Sequence, residues 1–298
     1  MKEIASILLA SDSLAGMDIA LEKAAMVEHY TGAVVSVVEV TYDSIAEESA
    51  EVVTAEQQSQ LIEALKAAER NGLRTLTKPF AERIANLETR VLWNKNAAAG
   101  VLQAQAEAAA DLIIKPVSRH GGISDYIHTP LDWSLMRTAP CAVLVSREPD
   151  WSQPERVLAA VDVADEQHED LTREILQTAA TLTNVLGTEL HLVCAYPSLG
   201  QSVNDLQIAM DYEGIKEDMR ENRRARLQRW IDELALQVAE CHVLEGKPAT
   251  VIPDLANGLP ATLTVVGTAA RTGLKKILLG NTAEDIIGRL HGDIVTVR

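Results

Sequence analysis

The strongest constraint on the fold is that the chain repeats itself. Ile7-Leu8-Leu9-Ala10-Ser11-Asp12 returns as Val157-Leu158-Ala159-Ala160-Val161-Asp162, an apolar run ending in aspartate, at an offset of 150 residues. Asp111-Leu112-Ile113-Ile114 returns as Thr262-Leu263-Thr264-Val265, and Ala142-Val143-Leu144-Val145 as Asp293-Ile294-Val295-Thr296, both at an offset of 151. Three matches in one order with one residue of drift identify a duplicated unit, and each copy must then bury a core of its own. The 298 residues divide into two domains of ordinary size, 1–146 and 155–298. Between them residues 147–154, polar and broken by Pro149 and Pro154, read as a linker.

Each copy carries short apolar runs bounded by turn residues. They are Ile4–Ala10, Ala33–Val40, Val91–Trp93, Leu112–Ile114 and Ala142–Val145, then Val157–Val161, Leu190–Ala195, Cys241–Leu244, Leu263–Val266 and Ile294–Val297. Runs without polar alternation suit strands covered on both faces, as in a parallel sheet between helices. Helical patterns lie between them. Leu227, Trp230, Ile231, Leu234 and Val238 make one apolar stripe at helical spacing. Thr54-Ala55-Glu56-Gln57 reads as a capping box opening a helix that Asn71-Gly72 ends or bends. The alternation predicts an α/β chain of two tandem doubly wound, Rossmann-like domains, each with a five-stranded parallel sheet. Such a sheet opens its ligand crevice beyond the carboxyl ends of its strands, where strand order reverses, and Asp12 and Asp162 each follow a first strand.

The formal net charge of −16 is shared equally, −8 in each half. A surface this acidic repels phosphate backbones and anionic lipid, so neither nucleic acid nor a membrane is an expected partner. No apolar run approaches the roughly 18 residues of a membrane span, and Ile4–Ala10 is too short for a secretory signal. Cys141, Cys194 and Cys241 form neither an even set nor a Cys-x-x-Cys pair, which points to a reducing, cytoplasmic location.

Chemistry concentrates between Val265 and Glu284. The chain leaves a strand at Gly267, passes Gly273 and enters a helix through Gly280-Asn281-Thr282. Glycines let backbone N–H groups approach an anion closely, and a helix N-terminus adds free N–H groups, so phosphate is the ligand such a loop suits. The opposing interpretation is that Gly267 and Gly280 only shape a turn in a site that has lost its ligand, and that Asp162 caps a turn.

This segment resembles the nucleotide loop of the universal stress protein family, whose pattern is G-x2-G-x9-G-[S/T]. Gly267 and Gly280 stand at the first and third glycines, Ala270 replaces the second, and Asn281 replaces the Ser/Thr. Asp12 and Asp162 stand where that family places an Asp against adenine, Asp111-Leu112-Ile113-Ile114 resembles its D-L-I-V strand, and Pro140-Cys141-Ala142-Val143 its P-C-P-V. Thr129-Pro130-Leu131-Asp132-Trp133 with Arg137, Ala195-Tyr196-Pro197, Val251-Ile252-Pro253-Asp254-Leu255-Ala256 and Arg271-Thr272-Gly273 resemble a tandem two-domain type within it. The resemblance implies an adenine nucleotide alpha hydrolase-like fold and a non-enzymatic role in resistance to stress, including DNA-damaging agents, through unidentified protein partners. It implies an internal pseudo-dimer and leaves a further homodimer open. It also implies a second-domain site for ATP with its Mg²⁺, or a related phosphate ligand, built from Asp162, Gly267, Ala270, Arg271, Gly273, Gly280, Asn281 and Thr282. Two alternatives stay open: a slow ATP hydrolase or nucleotidyl transferase using the same loop, and a ligand-free scaffold.

The first half departs from the pattern. Pro116 stands at the place of Gly267, Arg119 at Ala270, Thr129 at Gly280 and Pro130 at Asn281. Pro130 has no N–H to offer, so the first domain is not expected to hold a triphosphate in the family manner. Lys115, at a strand end, is expected to face solvent. The seven histidines include no HExxH and no i, i+4 pair, and Cys241 and His242 are adjacent and so point to opposite faces of a strand. No metal site is expected beyond Mg²⁺ carried by ATP. Arg220, Arg223, Arg224, Arg226 and Arg229 interleave with Glu217, Asp218, Glu221, Asp232 and Glu233, which predicts a solvated helix laced by ion pairs. No G-x-S-x-G, Walker A lysine or close Ser/His/Asp set signals catalysis. Trp133 is expected in the helix after the first-half loop and Trp151 as a pin between the domains.

Overall fold

The structure, a computed structural model, describes residues 3–11, 16–117, 129–147, 151–198, 212–268 and 281–298. The chain falls into two compact units, Glu3–Trp151 and Ser152–Arg298. In the first, β1 (Ser6–Ser11), β2 (Val34–Thr41), β3 (Leu87–Trp93), β4 (Leu112–Pro116) and β5 (Ala142–Ser146) form a parallel sheet in the order β3-β2-β1-β4-β5. Its helices are α1 (Met17–Thr31), α2 (Ser44–Glu48), α3 (Ala55–Thr77), α4 (Ala97–Ala108) and α5 (Pro130–Thr138). In the second, β6 (Arg156–Ala160), β7 (Glu189–Tyr196), β8 (Glu240–Glu245), β9 (Leu263–Gly267) and β10 (Asp293–Val297) form a parallel sheet in the order β8-β7-β6-β9-β10. Its helices are α6 (Glu169–Leu186), α7 (Tyr212–Leu234), α8 (Pro248–Gly258) and α9 (Asn281–Ile287).

Every apolar run named above falls on a strand, and the later elements of the two copies keep the offset of the repeat. β4 and β9, β5 and β10, and the first residues of α5 and α9 are each separated by 151 residues. The reason is burial on both faces: every residue of β4, β5 and β10 is buried, which leaves no room for polar alternation. Ile175, Leu176, Ala179, Leu182 and Leu186 give α6 the buried stripe that covers one face, each large aliphatic side chain contributing about 1.5–3 kcal/mol by leaving water.

Thr54 and Gln57 form the expected capping box at α3, with reciprocal bonds of 3.0 and 3.3 Å. The helix is not broken at Asn71-Gly72 and runs on to Thr77. Leu73 is fully buried just beyond the glycine, and burying it outweighs the roughly 1 kcal/mol that a helical glycine costs. A second correction concerns α7. It ends at Leu234, because Ala235 turns left-handed with φ 49°, so Val238 lies outside the helix and Leu227 and Trp230 form the buried part of the stripe. Trp151 belongs to the first unit, buried, with Lys23 Nζ 5.5 Å from its ring centroid and bonded to the Arg147 carbonyl at 2.5 Å. Among the described residues no helix is long and apolar enough to cross a membrane.

Candidate functional site

β6 is the strand from which the second sheet grows both ways, toward β7 on one side and β9 on the other. In a doubly wound sheet the carboxyl edge where the strand order reverses is where a ligand is expected, and in this domain that edge lies between β6 and β9. Ala160 pairs with Val266, so Val161-Asp162-Val163 and Gly267-Thr268 continue two adjacent strands into it. Asp162 is half-buried and its Oδ1 accepts the Ala164 N–H at 3.1 Å, while its carbonyl accepts the Asp165 N–H at 3.3 Å. This is a turn built on an aspartate side chain, the alternative the sequence offered to an adenine contact. Arg226 of α7 holds the same loop, donating to the Val163 carbonyl at 3.1 Å and pairing with Glu166 at 2.9 Å.

Gly267 has a packing reason of its own. A Cβ there would lie 2.8 Å from Leu171 Cδ2 and 3.0 Å from Ile175 Cδ1, so a side chain fits only if these two α6 side chains move aside. Thr268 is buried, and its N–H and hydroxyl both donate to the Val297 carbonyl, at 2.9 and 3.1 Å. Asn281 opens α9 and Thr282 is exposed in the first turn. Ala270, Arg271, Gly273 and Gly280 lie outside the described residues, as do Asp12 and Arg119.

The corresponding place in the first unit carries a capped helix and a buried ion pair. Thr129 caps α5: its hydroxyl accepts the Asp132 N–H at 3.3 Å, and Asp132 Oδ2 accepts the Thr129 N–H at 2.7 Å. Lys115 does not face solvent. Its side chain and that of Asp132 are both 0% exposed, with Nζ 3.3 Å from Asp132 Oδ1 and donating to the Pro116 carbonyl at 2.7 Å. The buried carboxylate at the start of α5 draws the ammonium inward, since two charges are tolerated in a core only when paired and hydrogen-bonded. The matching residues of the second unit, 151 positions on, are Val266 and Ala283, so neither member of the pair exists there.

A family model described as "Universal stress protein family" matches residues 3–147 and again 154–298. The chain belongs to the universal stress protein family. It is a tandem member, similar to the universal stress protein E homolog of Haemophilus influenzae, with 29% identity over 269 residues covering 89% of this chain and 85% of the relative. It is similar also to universal stress protein E of Salmonella typhi, 31% identical over 237 residues, 76% of this chain and 73% of the relative. Among solved structures, a Pseudomonas aeruginosa chain described as a universal stress protein superposes with a TM-score of 0.73 at 26% identity, covering 99% of this chain and 93% of that one. Its class is therefore the stress-response proteins with two universal stress protein domains.

Elsewhere in the second universal stress protein domain, Arg220, Arg226 and Arg229 of the arginine run are ion-paired, two of them away from α7. Arg226 meets Glu166 at 2.9 Å and Arg229 meets Glu169 at 2.5 Å, Arg173 of α6 meets Glu233 at 2.5 Å, and Arg220–Glu217 at 3.5 Å runs along α7. Burial pushes the Cys194 thiol up to about 12 against the pull of Arg223, so it stays protonated and unreactive at neutral pH. The fold also brings together two histidines that the sequence reading treated as scattered. His191 of β7 and His242 of β8 face each other at 3.1 Å. The overlooked signal is a repeated Glu-x-His, at Glu189–His191 and at Glu240–His242, on neighbouring strands.

Proposed function

We propose that the second domain of this tandem universal stress protein holds ATP with Mg²⁺, or a related phosphate-containing ligand, as a binding module rather than an enzyme, while the first domain is closed to such a ligand. The observation that carries this reading is the reversal of strand order between β6 and β9, with Asp162 and Gly267 at the carboxyl ends of these two adjacent strands, where such a sheet takes its ligand. The difference between the two copies supports it. A phosphate entering the first domain at the matching place would meet the Asp132 carboxylate, whereas the second domain has Ala283 there. The binding role rests on the chemistry beside the crevice. Among the described residues at this edge, Asp162 Oδ1 already accepts the Ala164 N–H, and the Cys194 thiol of the neighbouring β7 is held protonated, which favours holding a ligand over attacking it.

On this reading the domains are 1–146 and 155–298 joined by 147–154, and ligand occupancy in the second is read out by protein partners in the stress response. Cys141, Cys194 and Cys241 are free thiols, which suits the reducing cytoplasm. Calorimetric titration with ATP and Mg²⁺, followed by chromatography of the nucleotide, tests the reading. Saturable binding with ATP recovered intact is expected. Asp162→Ala should weaken binding, and Asp162→Asn, which keeps an acceptor for Ala164, separates loss of the turn from loss of the charge. Heat-silent titrations would favour the scaffold, and steady turnover abolished by Asp162→Ala would favour the hydrolase.

A further inference from the structure

Away from the crevice, β7 and the edge strand β8 carry the Glu-x-His repeat on one face of the sheet. His191 pairs with Glu240 and Val193 with His242 in the parallel ladder. Side chains alternate along a strand, so Glu189 and His191 project from β7 on the same side as Glu240 and His242 from β8. Cys194 projects from the opposite face, toward Arg223 of α7. His191 Nδ1 and His242 Nε2 are 3.1 Å apart, with ring planes 11° from parallel and centroids 5.4 Å apart. The centroid separation exceeds the nitrogen separation by about two ring radii, so the rings meet edge to edge and both nitrogens point into one gap. Glu240 Oε2 lies 3.8 Å from His242 Nε2, and one ligand atom from each of the three residues falls within 4.8 Å of the others. A tetrahedral ion with bonds of about 2.0–2.2 Å sets its ligand atoms roughly 3.3–3.5 Å apart, so to take one the two rings must turn until their nitrogens converge on it and the exposed Glu240 carboxylate must swing in.

The other side of His191 completes the arrangement. Its side chain is 6% exposed, its Nε2 makes no hydrogen bond, and Glu189 Oε2 stands 3.7 Å from that nitrogen. A metal-bound imidazole characteristically turns its second nitrogen to a carboxylate. We infer that His191 Nδ1, His242 Nε2 and the Glu240 carboxylate bind a divalent first-row ion of the Zn²⁺ class, with Glu189 orienting His191. Two imidazoles and one carboxylate favour such an ion over Mg²⁺ or Ca²⁺, which prefer oxygen alone. Glu240 is largely exposed, so the remaining coordination position opens to water.

The site is tested on the chelator-treated full chain by Zn²⁺ titration in competition with a chromophoric chelator. His242→Ala and Glu240→Gln are compared with the parent, and circular dichroism checks folding. The inference predicts one saturable site, lost in His242→Ala and weakened about tenfold or more in Glu240→Gln, with a Zn²⁺-dependent rise in melting temperature that is smaller in Glu240→Gln and absent in His242→Ala. A parent without a saturable site, or Zn²⁺ affinity unchanged in folded His242→Ala, overturns it. Should His242→Ala not fold, Glu240→Gln at the exposed carboxylate decides, and unchanged affinity there overturns the inference.

Discussion

Replacing Lys115 with methionine keeps the aliphatic stem and removes the charge that faces Asp132. At the observed 3.3 Å, with an effective dielectric constant of about 20, the attraction between the two groups is about 5 kcal/mol. Breaking a buried pair from one side costs about 3–5 kcal/mol, because the remaining charge keeps its desolvation penalty. The methionine also forfeits the bond to the Pro116 carbonyl. Lys115→Met should therefore destabilise the first domain by about 3–5 kcal/mol. Trp93, Trp133 and Trp151 lie in that domain and Trp230 in the other, so fluorescence in a Trp230→Phe background follows the first domain alone. With a urea slope of about 2 kcal/mol/M the midpoint should fall by roughly 2 M. Lys115→Met/Asp132→Asn, which removes both charges and keeps an acceptor for the Thr129 N–H, should recover most of the loss. A single variant within about 1 kcal/mol of the parent, or a double variant no better than the single, would refute the role given to the pair.

Gly267→Ala should lower stability by about 1–3 kcal/mol in a thermal melt, because its Cβ meets Leu171 and Ile175 of α6 at 2.8–3.0 Å; a neutral substitution would mean that α6 yields at no cost. In native protein at pH 8, mass-mapped alkylation should leave Cys194 unmodified, its thiol lying near 12, and rapid labelling there would contradict the burial. The His242 pKa is lowered in the folded state by burial, with Glu240 opposing and His191 adding to the shift. Between that lowered value and the ordinary 6.5 the unfolded chain binds the extra proton, so stability contributed by this ring declines as pH drops below 6.5 and stops declining once the folded ring protonates. Urea midpoints from pH 7.5 to 5 should show this loss in the parent and less of it in His242→Ala; equal slopes would remove His242 as its source.

The strands could be read from the sequence because a sheet covered on both faces favours apolar residues, as at Leu112–Ile114 and, around Thr264, at Leu263–Val266. The duplication then doubled the information at each position. Where the reading failed, contacts between distant residues decided. Asn71-Gly72 is a local stop signal, but Leu73 is buried against the rest of the domain and carries α3 through it. Lys115 looked like a strand-end lysine facing water, and only the approach of Asp132 from α5 explains its burial. Gly267 was legible as a glycine that something must approach closely. That α6 is one such neighbour depends on how the helix crosses β9. The His191–His242 pair was obscured for a similar reason. Its residues are 51 apart, and the parallel register that aligns the two Glu-x-His segments is a property of the sheet.

The central claim is that two copies of one fold carry unequal sites, one open to a phosphate ligand and one closed by its own ion pair. Equilibrium dialysis of the full chain against labelled ATP with excess Mg²⁺ tests it most directly. One nucleotide per chain is predicted, with that site weakened by Asp162→Ala in the second domain. Two nucleotides per chain, or one that is insensitive to Asp162→Ala, would contradict the account.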